Sequence, residues 1–199
     1  MSDTYAQGGI LPDQEIAGLF AAGAIAAPIE RDGDQIQPAS LDLRLGPKAY
    51  RVRASFLPGQ GQSVVDKLDR FSLHEFSLAD GAVLETGCVY VVPLLESFRL
   101  PADIRATANP KSSTGRLDIF TRVLADGAQE FDKLPAGYDG PLYLEISPRT
   151  FPILVRQGSR LSQIRFRSGE PLAKAIDLCL SLVTHAGAYS RKALESLAF

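Results

Sequence analysis

Short runs of apolar residues, many alternating with polar ones, dominate the chain from residue 36 onward. Residues 41–45 and 142–146 alternate with period two, while 89–94 and 151–155 are short β-prone runs. Turn sequences that contain glycine separate these runs, at residues 57–59, 79–81, 125–127 and 137–140. This succession of short strands and turns predicts a mainly β, antiparallel architecture rather than alternating βα units.

A short helix is predicted near the N-terminus, at residues 11–20. Proline and acidic residues open it, apolar residues recur three and four apart, and a glycine follows: Pro12, Asp13, Glu15, Ile16, Leu19, Phe20 and Gly23. Residues 191–197 have a helix-like composition near the C-terminus. We therefore expect a β domain over residues 1–170 and a partly helical extension over residues 171–199.

Composition narrows the classes of partner. Of the 199 residues, 45% are hydrophobic and 22% charged, and the formal net charge is −2. This balance predicts a globular chain without bulk attraction to nucleic acid or anionic membranes, so that an anion site must be local. Neither a secretory signal nor a run of the ~20 apolar residues that span a bilayer is evident. We expect a cytoplasmic protein without nucleic-acid or membrane partners.

Residues 109–116, Asn-Pro-Lys-Ser-Ser-Thr-Gly-Arg, have the composition of a phosphate cradle. Small hydroxyl residues and a glycine let backbone N–H groups approach an anion, and two cations flank them. The segment lacks the GxxxxGK[ST] pattern of a Walker loop. The alternative is a surface turn leading into a strand at 117–120.

Glu145 is a candidate proton shuttle. It lies in an alternating run between Leu144 and Ile146 and shares its face with Tyr143. Loss of solvation there is expected to raise the pKa of the carboxyl toward neutrality, as general acid–base catalysis requires. The alternative, favoured by the residues alone, is an exposed strand residue paired with Arg149 or Arg156.

Two further groups of charges could bind ligands. Acidic residues in a glycine-bearing stretch could hold Mg²⁺, orient a sugar hydroxyl or activate water: Asp126, Glu130, Asp132 and Asp139. Arginines near the end of the domain could follow phosphates: Arg149, Arg156, Arg160, Arg165 and Arg167. For both groups the alternative is ordinary surface solvation.

Missing motifs argue against two mechanisms. Zinc deaminases hold their metal with an H-x-E segment and a P-C-x-x-C pair. Here His74 directly precedes Glu75, and Cys88 and Cys179 lie far apart. We therefore expect no catalytic zinc. A G-x-S-x-G nucleophile elbow is absent from the sequence as well.

Taken in order, three segments resemble the motifs of dCTP deaminases and trimeric dUTPases. Residues 36–46 are very similar to the first deaminase motif, and residues 110–117 resemble the serine-rich phosphate motif that both groups share. Residues 137–145, followed by 152–153 and 156–158, resemble the third motif and its hairpin. Order and spacing agree over about residues 10–168. The resemblance implies a β-clip fold and a homotrimer with active sites between subunits.

The same resemblance implies the roles of individual residues. The family binds its nucleotide through positions that correspond here to Lys111, Ser112, Ser113, Thr114, Gly115, Arg116, Asp132, Tyr143 and Leu144. Asp132 would contact the deoxyribose, although residues 131–137 depart from the family's Ile-Asp-Pro-Gly pattern. Glu145 would be the general base and acid that activates water against C4 of cytosine. Ser112 and Arg116 would orient that water and stabilise the developing charge.

Deamination of dCTP to dUTP and ammonia is the predicted function. The Leu144-Glu145 pair and the first motif favour a deaminase over a dUTPase. No catalytic metal is implied, and Mg²⁺ would enter with the triphosphate. The alternatives are a dUTP pyrophosphatase, a bifunctional enzyme that converts dCTP to dUMP, and a non-catalytic nucleotide-binding β-clip fragment. The second and third motifs look most like the longer, two-domain bacterial members, of which this chain would be the N-terminal half.

Overall fold

The computed structural model describes residues 8–169. Within that range the helices are α1 Asp13–Ala21, α2 Val64–Phe71 and α3 Ser112–Arg116. The first strands are β1 Ile25–Ala26, β2 Ile36–Gln37, β3 Ser40–Arg44, β4 Lys48–Val52, β5 Ser72–Ser77, β6 Ala82–Leu84 and β7 Val89–Arg99. The remaining strands are β8 Ile104–Pro110, β9 Ile119–Ala125, β10 Lys133–Leu134, β11 Asp139–Pro148, β12 Ile153–Val155 and β13 Arg160–Ser168.

The strands of this part of the chain form two main sheets, and each strand pair is antiparallel. One sheet has the order β5-β4-β7-β11-β9, with β1 pairing the far end of β7. The other has the order β10-β8-β13-β3-β2, and β12 and β6, far apart in sequence, form a separate two-stranded sheet. The strand β11 therefore lies between β7 and β9 and is paired along both edges.

Local signals explain the two longer helices. Pro12 precedes α1, Asp13 and Glu15 lie in its first turn, and Gly23 adopts a φ of 71° just beyond its end. At the start of α2, Ser63 and Asp66 form a capping box in which each side chain accepts a hydrogen bond from the other's backbone N–H. The helix α2 therefore begins with a side-chain cap, whereas α1 has none and is favoured by its preceding proline and by the acidic residues of its first turn.

Two apolar clusters lie on opposite faces of β11. The larger contains Leu142, Leu144 and Ile146, whereas the smaller contains Tyr143 together with residues of α2 and neighbouring strands. Because side chains alternate along a strand, Glu145 shares the face of Tyr143. The smaller cluster is therefore what surrounds this carboxylate.

The mainly β fold with one short helix near the N-terminus is confirmed. Each predicted strand is present, although the one predicted at 117–120 begins at Ile119. The alternative of a plain surface turn before it differs from the structure, because Ser112–Arg116 forms the short helix α3, while phosphate binding by this segment stays a prediction. The predicted C-terminal extension, 171–199, lies outside the described residues. Over the described range, the structure contains no helix that is both long and apolar enough to cross a membrane.

Candidate active site

Glu145 lies between β7 and the edge strand β9 of the larger sheet and is buried, with 1% of its surface exposed. On β11 it stands opposite Val91 of β7 and Arg122 of β9. Its position within a doubly paired strand, beside an apolar cluster, removes it from solvent. The interpretation of Glu145 as an exposed strand residue is therefore wrong.

The charge that compensates this buried carboxylate is Arg122. Both its Nε and its Nη2 donate to Oε1 of Glu145, at 3.1 and 2.7 Å. The partners suggested by the sequence, Arg149 and Arg156, were wrong. Arg122 was missed because its significance depends on strand register: it is the residue directly across from Glu145 on β9.

Three groups other than Glu145 hold the Arg122 guanidinium. Its Nη2 donates to Oγ of Ser55 at 2.7 Å. Its Cζ lies 3.7 Å from the ring centroid of Phe131 and 4.8 Å from that of Phe120, as in cation–π contacts. Two aromatic rings therefore contact the guanidinium, which links the buried Glu145 carboxylate to the exposed Ser55.

The second carboxylate oxygen of Glu145 differs from the first. Oε2 is buried, and within residues 8–169 it has no hydrogen-bond partner. Leaving such an atom unpaired is costly, because its desolvation is not repaid. Four buried side-chain oxygens lack a partner in this part of the chain, and Oε2 is the one that belongs to a carboxylate, a group that can bind a ligand or move a proton.

Asp132 is close to this pair and has a constrained backbone. Its φ is 63°, in the left-handed region that a non-glycine residue seldom occupies. Its Oδ1 accepts from the Val123 N–H at 2.7 Å, and backbone hydrogen bonds tie it to Val123 and Ala108. Burial raises the pKa of Asp132, and the Glu145 charge adds to this, while the Val123 N–H and Arg122 oppose it.

A cavity of about 440 Å³ joins parts of the predicted site. Its lining includes Gly115 of α3, Arg122 and Asp132. The structure thus brings the serine-rich segment, the predicted sugar-binding acid and the partner of Glu145 to one surface depression. Within the described part of one chain, neither Ser112 nor Arg116 hydrogen-bonds to the Glu145 carboxylate.

The serine-rich segment has an outward-facing surface. Ser112, Ser113, Gly115 and Arg116 are exposed, and Thr114 is buried against the sheet. Lys111, just before the helix, forms an ion pair with Asp42 on β3, whose side chain is 2% exposed. The buried Asp42 carboxylate, in the segment 36–46, thereby anchors the start of the serine-rich segment.

Tyr143 and Leu144 are both buried. Tyr143 packs in the smaller apolar cluster, where burial raises its pKa to about 12. Leu144 is 0% exposed and packs in the larger core cluster. Leu144 also lies on a strand that is paired along both edges, so the structure gives its side chain a packing role, and its predicted contact with the nucleotide stays a prediction.

The acidic group proposed from the sequence does not form one site. Asp126 accepts a hydrogen bond from the Val64 N–H, Glu130 pairs with Lys133, and Asp139 pairs with Arg99. Within residues 8–169, no cluster of three or more histidine, cysteine, aspartate or glutamate residues is placed to hold a metal ion. In this group, Asp132 alone lines the cavity near Arg122.

The predicted arginine track is likewise dispersed. Arg160 makes a two-pronged ion pair with Asp34, at 2.9 Å for each nitrogen–oxygen pair, and approaches Asp42. Arg149 lines the cavity beside Arg122. Arg156 lies in the turn after β12, where its N–H donates to Ser159. A continuous phosphate-binding row is therefore not formed.

Comparison with known proteins identifies relatives over most of the chain. Residues 7–170 match the model of the family described as the 2′-deoxycytidine 5′-triphosphate deaminase (DCD) N-terminal domain. A dCTP deaminase from Halorubrum lacusprofundi is 30% identical over 169 residues, which are 83% of this chain and 80% of the relative. A protein named "dCTP deaminase, dUMP-forming" from Halobacterium salinarum is 29% identical over 161 residues, 79% of each chain.

A solved structure is still more similar in sequence. The crystal structure of 2′-deoxycytidine 5′-triphosphate deaminase from Agrobacterium tumefaciens is 71% identical, with a TM-score of 0.80. The match covers 81% of this chain but only 48% of the Agrobacterium chain. This chain therefore spans about half the length of that relative.

Proposed function

The chain belongs to the family of 2′-deoxycytidine 5′-triphosphate deaminase N-terminal domains, and from this premise we propose that it converts dCTP and water to dUTP and ammonia. The observation that carries the proposal is the Glu145 carboxylate. It is buried, one oxygen is held by Arg122, and the other has no partner within the described residues. That arrangement suits a group that accepts and returns protons.

In the proposed reaction, Glu145 shuttles two protons. Its carboxylate first removes a proton from water, whose oxygen bonds to C4 of cytosine, and passes that proton to N3 of the ring. It then moves the proton of the new C4 hydroxyl to the amino group. The C4–N bond breaks, ammonia leaves, and the water oxygen becomes the C4 carbonyl oxygen of uracil.

The serine-rich segment is proposed to bind the other end of the substrate. Exposed Ser112, Ser113 and Arg116 offer hydroxyl, backbone N–H and guanidinium donors that suit a triphosphate. Ser112 and Arg116 also stabilise the charge on the attacked ring. Mg²⁺ arrives with the triphosphate as part of the substrate. Asp132, at the cavity shared with Gly115, binds the deoxyribose.

We also propose that the chain functions as a homotrimer in which α3 of one subunit serves the Glu145 of another. This arrangement is consistent with an exposed serine-rich helix that makes no hydrogen bond to the carboxylate within one described chain. Sedimentation equilibrium should give a mass three times that of the chain. A monomeric mass in a preparation that deaminates dCTP would contradict the shared site.

A second candidate has specific support. A relative that is 29% identical is named as a dUMP-forming enzyme, and hydrolysis of the α–β phosphate bond after deamination would give dUMP and pyrophosphate here also. We favour dUTP as the product, because the relatives that are 30% and 71% identical are named simply as dCTP deaminases.

Product analysis tests these alternatives. The full chain is incubated with dCTP and Mg²⁺, and separately with dUTP, and the products are resolved by chromatography with a parallel ammonia assay. We expect dUTP and ammonia in equal amounts from dCTP, and no change in dUTP. Formation of dUMP and pyrophosphate would establish the second candidate. Binding of dCTP without ammonia release would leave a non-catalytic nucleotide-binding domain as the function.

A further inference from the structure

The ion pair between Arg122 and Glu145 is asymmetric. An arginine facing a carboxylate commonly donates along two parallel lines, one to each oxygen. Here Nε and Nη2 both donate to Oε1, at 3.1 and 2.7 Å, while Oε2 is left without a partner among the described residues. The two oxygens of one carboxylate are therefore in different environments.

The asymmetry follows from how Arg122 is held. Ser55 accepts from the same Nη2 at 2.7 Å, and the ring centroid of Phe131 lies 3.7 Å from Cζ. Strand pairing places the Arg122 backbone directly opposite Glu145. The guanidinium plane is thus fixed by a hydroxyl, an aromatic ring and the sheet, and it can meet the carboxylate from one side only.

We infer that Arg122 is a positioning residue for the proposed deamination. By fixing Oε1 it sets the orientation of the Glu145 carboxyl and leaves Oε2 as the oxygen that exchanges protons with water and substrate. This inference rests on the proposed function. It assigns a role to a residue outside the three family motifs, in the segment between the serine-rich helix and the glutamate strand.

A positioning arginine and a substrate-binding arginine differ in their effects on kcat and KM. A misplaced catalytic group slows the chemical step, and a displacement of about 1 Å can cost on the order of 100-fold. Substrate affinity, by contrast, depends on groups that contact the nucleotide. Loss of Arg122 should therefore lower kcat far more than it raises KM.

The test uses the full chain with two replacements of Arg122. Arg122→Met keeps the length of the side chain but removes its donors, and we expect kcat to fall on the order of 100-fold with KM within about threefold of wild type. Arg122→Ala leaves a gap that free guanidinium can enter, so millimolar guanidine should restore part of kcat in a saturable manner. Arg99→Met is the matched control, because Arg99 also pairs with a carboxylate across β7 and β11 but is 79% exposed.

The outcomes separate three accounts. Wild-type kcat in Arg122→Met, or a rise in KM with kcat unchanged, overturns the positioning role. A loss of kcat in Arg122→Ala that guanidine does not restore points to a general structural defect and overturns it as well. A wild-type chain that releases no ammonia from dCTP overturns the proposed function and this inference with it. Loss of kcat in the Arg122 variants, with rescue and an unaffected Arg99→Met control, supports the inference.

Discussion

Two buried glutamates on adjacent strands, Glu96 of β7 and Glu145 of β11, each pair with an arginine but differ in how completely they are satisfied. Both Glu96 oxygens have partners: Oε1 accepts from Gln35 and from Nε of Arg44, and Oε2 from the backbone N–H of Arg44, all at 2.8 Å. Arg44 is itself 2% exposed, and its remaining nitrogens donate to the carbonyl groups of Ile29 and Glu30.

The Glu145 pair is incomplete by comparison. One oxygen receives both donors, the other has no partner among the described residues, and Arg122 is 27% exposed beside a cavity. Burying a charge is tolerated when every atom finds a partner, whereas an unsatisfied atom costs stability. Burial alone therefore does not distinguish the proposed catalytic carboxylate, since Glu96 is at least as deeply buried and has the features of a structural group.

Glu96→Gln should produce the largest loss of stability. The change keeps the shape of the side chain but leaves the buried Arg44 guanidinium with only the half-exposed Asp32 carboxylate, 3.8 Å from Nη1, as a counter-charge. Breaking a buried pair in this way costs about 3–5 kcal/mol, which urea unfolding of the full chain would measure. The double variant Arg44→Met, Glu96→Leu should recover part of that loss, because it removes both charges. If Glu96→Gln costs less than about 1 kcal/mol, the hydrogen bonds of Glu96 with Arg44 and Gln35 do not have the structural role assigned to them.

Asp42→Asn should have an intermediate effect. Asp42 is 2% exposed and pairs with Lys111 and Arg160, which are 27% and 25% exposed. Both cations can be partly solvated after the change, so we expect a loss of about 1.5–3 kcal/mol, the scale of charged hydrogen bonds. Because Lys111 also loses its anchor, KM for dCTP should rise. Urea unfolding and steady-state kinetics measure the two effects. An unchanged KM would show that Lys111 does not contribute to substrate binding.

Asp132→Asn should change the pH dependence of stability. Burial raises the pKa of Asp132 in the folded chain above its unfolded value. The folded state therefore holds this proton more tightly, and ionisation costs stability as the pH rises from the ordinary aspartate range through the raised folded pKa. Asparagine keeps the acceptor for the Val123 N–H but cannot ionise. Its stability relative to wild type should improve from acidic to neutral pH, and a difference that is constant with pH would contradict this.

Arg99→Met should have the smallest effect. Arg99 and Asp139 form an exposed pair at 3.3 Å, with side chains 79% and 64% exposed. Exposed pairs contribute about 0–1 kcal/mol, and salt weakens them further. We expect unchanged turnover and a loss within this range in urea unfolding. A loss of unfolding free energy as large as that of Glu96→Gln would contradict the view that buried, fully hydrogen-bonded ion pairs contribute more to stability than exposed ones.

Alternation and turn residues predicted five strand segments and the mainly β class, but they did not predict strands such as β8 and β13, nor which polar residues would be buried. Residues 41–45 alternate as expected of a strand with one polar face, yet every residue of Ser40–Arg44 is buried. Asp42 and Arg44 are inside because partners far away in sequence, Lys111 and Glu96, satisfy them. Such long-range pairing is invisible to a local pattern.

The candidate site could be predicted only in part, because it also depends on long-range pairing. Glu145 and the serine-rich segment carry motifs, whereas Arg122, Ser55 and Phe131 acquire their role only through strand register and loop packing. The helix α2, which packs near this face, was missed although Ser63 and Asp66 have the spacing of a capping box. That local signal was present in the sequence and could have predicted it.

The central claim is that Glu145 moves protons in the proposed reaction, whereas Glu96 stabilises the fold. Comparing Glu145→Gln with Glu96→Gln tests this claim most directly. Glutamine keeps an acceptor for Arg122 but cannot shuttle protons, so kcat for dCTP deamination should fall by about 10²–10⁴-fold. Calorimetric dCTP binding should persist, and the loss in unfolding free energy should be smaller than that of Glu96→Gln. A Glu145→Gln chain that deaminates dCTP at the wild-type rate, or that loses more unfolding free energy than the Glu96→Gln chain does, would contradict the account.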